Sequence, residues 1–488
     1  MSKTIKNIIY VTIQQVVNTI LPFLTIPYIA RVLGVEQNGV YSYSLTIATV
    51  FAVFFSFGFA IHGANVIAQS TGVTREIRFL EIQILRMLFL FIGIALFFLF
   101  VRYYRQGISE VVLILQGTLI LVNFFDISWY YQGIGDFKKI VTRNIIVKLV
   151  GTVSVFVFVR KPEDLWIYIG LINGSQLLGN IVLFKDILYT VKYINRVEFN
   201  KFVVHSKVAF LLFLPNLSGL ILSNFDKIFL GSIGDIVGLS NYQQAQRILS
   251  FLYTVLMIPS PVIIQKIASL RFTNNHKEAN HYVYMGLNMY LALGFFCVFG
   301  VVLGAGDFIV IFLGSQYKGA IALFIILSPI LITKTVGGVI GGWYLIPLGR
   351  NKLHSLPLVI GTIVSVALNI VITPLFGVKA AAIIFVFAEI VVIFIQLLYS
   401  KELYQLVDKK NLSVLFLNFL SAYLMTEFFV KMDIAGNFDA IYLNFISVLG
   451  IFIGLSCIML FLTKSSRMFI TKCFNMLKGR YIYENSSN

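Results

Sequence analysis

The chain has 488 residues, 58% of them hydrophobic and 12% charged, with a formal net charge of +17. Soluble domains carry roughly 25% charged residues, so this composition excludes an ordinary water-soluble fold. The apolar blocks lack period-2 alternation, which excludes a closed transmembrane barrel and leaves an all-α polytopic membrane protein.

A hydrocarbon layer of about 30 Å is crossed by roughly 20 helical residues. Blocks of that kind fall at 8–30, 40–62, 82–101, 111–131, 143–159, 165–184, 208–230, 246–268, 283–304, 320–346, 353–374, 377–400, 412–430 and 441–462, about 14 transmembrane helices. Lys3 and Lys6 precede the first block, but IPYIARVLG follows it with no small-x-small cleavage site, so it reads as a retained span rather than a secretory signal. Pro22 and Pro27 in that span, PSP at 259–261, and GGVIGG at 337–342 between Pro329 and Pro347 mark expected bends or close helix packing. The cysteines Cys297, Cys457 and Cys473 are scattered and the five histidines lack ligand spacing, so no disulfide framework, metal or other cofactor is expected.

Between the sixth and seventh spans lies DILYTVKYINRVEFNKFVVHSK, 186–207, whose charges and aromatics suit a helix on the membrane surface. This divides the chain into an N-terminal lobe, 1–185, a linker, 186–207, a C-terminal lobe, 208–400, two last spans within 401–463, and a basic tail, 464–488. The other loops are too short for a folded catalytic module. An even number of spans puts both termini on one side. Loops on that side hold 25 of the 38 Lys and Arg residues, and the opposite loops hold 8. The positive-inside rule therefore places both termini in the cytoplasm and makes the basic charge a topology signal, with no nucleic-acid partner expected.

Charges inside the spans are costly, roughly 2.5–3.5 kcal/mol each on insertion scales, and so point to function. The cations within spans are Arg86, Lys148, Lys227, Arg247 and Lys334, with Arg31 at the outer end of the first span, and the acids are Asp126, Asp226 and Glu389. Six cations against three carboxylates favour an anionic guest. At about 1.5 Å per residue, Arg31, Lys227 and Arg247 form an outer set. Arg86 and Lys148 form an inner one, and Lys334 and Glu389 lie near the midplane. For each of these a structural role stands beside the binding one. Asp226 is placed to pair with Arg247, Asp126 with Lys148, and Lys334 with Glu389, while the outer cations are within reach of headgroups.

Two segments repeat. LPFLTIPYIARVLGVEQNGVYSYS at 21–44 and LPNLSGLILSNFDKIFLGSIGDIVGLSNYQQAQRI at 214–248 each run Leu-Pro, a basic residue, Leu-Gly, Gly, Tyr. Internal repeats build the two lobes of many transporters.

PYIARVLG, FFDISWYYQGIGDFKKI, FDKIFLG, NYQQAQRI, IFLGSQYKGA and LIPLGRNKLHSLPLVIGTIVSVALNIVITPLFGVKAAAI, running in order to Glu389, resemble as a set the polysaccharide repeat-unit (Wzx-type) flippases of the MOP exporter superfamily. The resemblance implies two six-helix lobes forming a V around a cavity, with two C-terminal helices added. It implies a non-enzymatic carrier in the cell (plasma or inner) membrane that moves an undecaprenyl-diphosphate-linked oligosaccharide to the outer leaflet by alternating access. It also implies work alongside a polysaccharide polymerase or ligase. A multidrug exporter of the same superfamily is the alternative, though it calls for acids in the first lobe, where only Asp126 lies within a span. A membrane polymerase or glycosyltransferase would need acidic motifs or a long outer loop, and neither is present.

Overall fold

A computed structural model describes residues 3–104, 107–188, 197–198 and 200–400. The two spans expected at 412–430 and 441–462, and the basic tail, lie outside the described residues. Within them the chain is helical and has no strand. Hydrocarbon offers backbone groups no partner, so each segment must close its own hydrogen bonds. The first half comprises α1 (Lys3–Ser56), α2 (Phe59–Gln69), α3 (Gly72–Tyr103), α4 (Glu110–Phe124), α5 (Ser128–Ile134), α6 (Phe137–Phe158) and α7 (Leu165–Leu188). Then follow α8 (Asn200–Ser232), α9 (Ile236–Leu256), α10 (Ser260–Phe272), α11 (His276–Leu313), α12 (Gly319–Leu327), α13 (Ile330–Gly338) and α14 (Asn351–Tyr399). The part of the 186–207 linker from Asn200 onward is the first turns of α8.

Eight stretches are long and apolar enough to cross a membrane, and two bent pairs, α8 and α9–α10, raise the count to ten. Two of the eight are too long for a single crossing: Thr12–Ser56 has 45 residues and Asn351–Tyr399 has 49, whereas roughly 20 suffice. Each is broken once, at Gly34 (φ 75°, ψ 176°) and at Gly377 (φ 67°, ψ −155°). Both angles lie in a region that is essentially glycine-only. Split there, the described residues hold up to twelve stretches long enough to cross, a number compatible with the twelve expected from hydropathy up to residue 400.

Asn38 seals the first break: its amide nitrogen donates to the carbonyls of Gly34 (2.8 Å) and Ile29 (3.1 Å), which the helix end leaves open. Gly34→Val forces a β-branched residue into this conformation, at a cost of about 1–3 kcal/mol. The expected result is a lower melting temperature in detergent and less folded protein. Val35→Ala, in ordinary helix, serves as the control.

The expected PSP break is present, with α9 and α10 meeting at 45°. Pro329 separates α12 from α13, and the GGVIGG stretch passes into a π-helix at Val339–Leu345. Helix α1 continues through Pro22 and Pro27 and is interrupted at Gly34 instead. A second internal echo appears at the ends of α5 and the π-helix. Trp129-Tyr130 is followed by Gly135 and Lys138, and Trp343-Tyr344 at the same spacing by Gly349 and Lys352. Both glycines have φ 72°. Each indole lies on a glycine: a Cβ on Gly63 would sit 2.4 Å from Trp129, and one on Gly286 2.2 Å from Trp343. No larger residue fits beneath either ring.

The described residues form two compact units, within Met1–Gln244 and Thr362–Ala381, and within Ala245–Gly361 and Ala382–Asn488. Packing thus does not divide at the linker. Helix α8 belongs with the first unit because Gly231 seats on the ring of Tyr43, and Gly58 approaches the backbone of Ala209. The first unit has cores around Phe59, Phe79, Trp129 and Leu183, and around Ile29, Tyr41, Val155 and Tyr168. The second centres on Ile267, Tyr282, Tyr290, Ile340 and Trp343. Outward faces are equally apolar, as with Leu88, Phe91, Ile92 and Phe98 on α3, which are all exposed. A helix that is apolar all round has lipid for its solvent.

Candidate functional site

Near the end of α8 the sequence Asn224-Phe-Asp-Lys227 places two charges inside the first unit. Asp226 is 1% exposed and Lys227 7%. Adjacent helical positions point about 100° apart, so the two take different partners. The Asp226 carboxylate accepts a short hydrogen bond from the hydroxyl of Tyr242, which is itself buried on α9. The Lys227 ammonium lies 3.3 Å from the Asn224 side-chain oxygen, one turn earlier. Close in sequence to Tyr242, Gln244 donates to the Asn38 side-chain oxygen (3.4 Å), linking α9 to the Gly34 break. Arg31, three residues before that break, is exposed.

The inner set separates into different roles. Arg86 on α3 is 2% exposed, and its two terminal nitrogens donate to the main-chain oxygens of Asn123 (2.8 Å) and Asp126. These carbonyls are opened by the break between α4 and α5. The planar fork of arginine suits two acceptors side by side. Arg86 therefore ties α3 to the fold at this break. Asp126 is turned toward Ser128, accepting from its amide (2.9 Å) and hydroxyl (2.6 Å). The facing cation is Arg143, 4.0 Å away, and not Lys148. Arg143 also reaches the Ser128 hydroxyl (2.8 Å) and the Asn180 side chain. Lys148, half-buried, has its ammonium 3.4 Å from the carbonyl of Asn18 on α1.

In the second unit Lys334 on α13 and Glu389 on α14 form the interhelical ion pair, 3.4 Å apart. The ammonium also sits 5.3 Å from the centroid of Phe385, one turn before Glu389. The carboxylate is the less exposed partner, at 11% against 26% for the lysine side chain. Arg247 is half-buried on α9. Sequence reasoning placed Tyr242 only as the last matched residue of the second repeat, and it missed Asn38, Arg143 and Asn180. Arg143 sits at an expected span boundary and looked like a loop cation, and the two asparagines are uncharged and carry no spacing signal.

Up to twelve lipid-compatible stretches among the described residues, with cations and carboxylates held among them, define a multi-pass membrane protein. The sequence profile of the polysaccharide biosynthesis protein family matches residues 4–264, more than half of the chain. The chain belongs to that family. It is similar to an Escherichia coli (strain K12) protein described as a "Putative O-antigen transporter", at 24% identity over 405 residues, 81% of this chain and 96% of that one. A Shigella dysenteriae protein of the same description is 21% identical over 406 residues, 80% of this chain and 98% of that one. Among solved structures, the lipid II flippase MurJ in an inward closed conformation superposes with a TM-score of 0.70 at 17% identity, covering 92% of this chain and 98% of that one. An inward-facing multidrug resistance MATE transporter of the MOP superfamily gives 0.56 at 14% identity, over 80% of this chain and 98% of that one. The fold is thus the one shared by these MOP-superfamily carriers.

Proposed function

We propose that this protein carries lipid-diphosphate-linked oligosaccharide repeat units, on an undecaprenyl anchor, from the inner to the outer leaflet of the cell membrane. The observation that carries the reading is the burial of Lys227 inside the first unit, at 7% exposure. A lysine that only anchored a helix end would extend its ammonium to the headgroups. Buried instead beside the Asn224 side-chain oxygen, it offers a diphosphate a point charge. The excess of in-span cations over acids supports an anionic guest, and the names of the relatives support a polysaccharide precursor. Arg31 joins Lys227 as an outer cation of the first unit, with Lys148 the inner one. The Lys334–Glu389 pair opens and closes as the carrier alternates. The two six-helix repeats, 1–185 and 208–400, are the two sequence halves of that carrier. Both termini face the cytoplasm, no covalent chemistry is performed, and a polymerase or ligase consumes the delivered unit.

The test is a deletion strain. Undecaprenyl-linked repeat units are expected to accumulate on the cytoplasmic leaflet while surface polymer disappears, and a plasmid copy restores it. Normal polymer with unchanged lipid carriers rejects the reading.

A further inference from the structure

A second set of ionisable side chains, apart from the candidate site, runs through the junction of α2, α3 and α8. Arg78 donates to Glu81 Oε2 at 2.7 Å. The same oxygen lies 3.3 Å from His205 Nε2, and His205 Nδ1 lies 2.8 Å from His62 Nε2. Glu81 is fully buried, and His62 and His205 are 7% and 6% exposed. The other charges facing this chain are Glu198, whose amide donates to Glu81 Oε1 (3.3 Å), and Lys201, 2.7 Å from the Glu198 carboxylate. That lysine's hydrogen bond holds the Glu198 carboxyl below the usual carboxylate range. Helix α2 adds no ionisable group beyond His62, and α5, packed on α2 through Trp129 and Gly133, has no charged residue.

The hydrogen-bond directions are constrained. Both oxygens of Glu81 accept, from Arg78 and from the Glu198 amide, so His205 Nε2 must be the donor toward it. At 2.8 Å the nitrogens of the two imidazoles need one hydrogen between them. When both rings are neutral, His62 supplies it. One further proton still fits, because either ring can then carry the shared hydrogen. A second would turn N–H against N–H and bring two buried cations together. We propose that His62 and His205 are a proton-binding site that holds one extra proton with the junction closed and parts α8 from α2 when a second arrives.

The backbone beside the pair is built to respond. Helices α1 and α2 are broken just before His62, where Phe57 adopts φ 44°, an unusual value for a non-glycine residue. At Gly58 a Cβ would lie 2.3 Å from the carbonyl oxygen of Ala209, one turn beyond His205. Movement of α8 at His205 therefore acts directly on this break. The proposal is independent of which substrate is carried.

The test is hydrogen exchange of the full chain in nanodiscs, from about pH 7.5 to 5.5, corrected for intrinsic rates. Because opening takes up a proton, the closed form is favoured at higher pH and is lost as pH falls. Protection of amides at 59–66 and 200–209 is expected to fall by up to about tenfold per pH unit for one linked proton. His62→Gln and His205→Gln should each flatten that dependence, while α11, which carries His276 and His281, is unaffected. A flat wild-type profile overturns the proposal, as does a pH dependence that survives in either folded variant. Should His205→Gln fail to fold, His62→Gln, which keeps the Glu81–His205 contact, decides the matter, and with neither variant the wild-type profile does.

Discussion

Arg86→Ala should fail to accumulate as folded protein. The guanidinium is almost wholly enclosed and closes two carbonyls at the α4–α5 break. Removing it takes the guanidinium donor from both oxygens in a buried site, and leaves the Asn123 oxygen with backbone donors alone, among them the Asp126 amide at 3.2 Å. Hydrogen bonds to a charged group contribute about 1.5–3 kcal/mol each, so truncation should cost several kcal/mol, a large fraction of a typical folding free energy. Arg86→Lys should recover part of the loss, since a single ammonium reaches one carbonyl well but not two. Size-exclusion profiles and melting temperatures in detergent read this directly. If Arg86→Ala instead melts like the wild type and loses only export, Arg86 is a substrate cation after all, and its structural assignment is wrong.

The opposite pattern is expected of the outer cations. Lys227→Ala and Arg31→Ala should reach the membrane in normal amounts yet export poorly. A charge-assisted contact to a phosphate oxygen is worth about 1.5–3 kcal/mol, or roughly tenfold to a hundredfold in affinity for the carried lipid. Complementation of the deletion strain, with protein quantified in the membrane fraction, separates export from expression. Lys227→Arg should retain much of the function, because the positive charge stays beside Asn224. Wild-type export by both alanine variants would reduce this set to membrane anchoring.

What the sequence disclosed follows from the range of the forces involved. Span positions were legible because each is a local run of apolar residues matched to bilayer thickness. The PSP bend was legible because proline lacks the amide that a helix needs. The Lys334–Glu389 pair could be anticipated because two opposite charges at the same depth seek each other. Asp126 shows the limit: depth alone pointed to Lys148, while the fold turns it toward Arg143, whose place at an expected span boundary disguised it. Asn38, Tyr242 and Asn180 are uncharged and act on groups that become available only once helices break or cross. His62 and His205 lie 143 residues apart and meet only because α8 packs against α2. Even the boundary between compact units, away from the linker, reflects such packing and not chain order.

The most direct test uses purified protein in sealed vesicles containing an undecaprenyl-diphosphate oligosaccharide in both leaflets. A membrane-impermeant glycosidase added outside reports how much sugar becomes accessible. With the wild-type protein the inner-leaflet pool is expected to be consumed as well, and with Lys227→Ala only slowly. Digestion that stops at the outer-leaflet share, as in protein-free vesicles, would contradict the account.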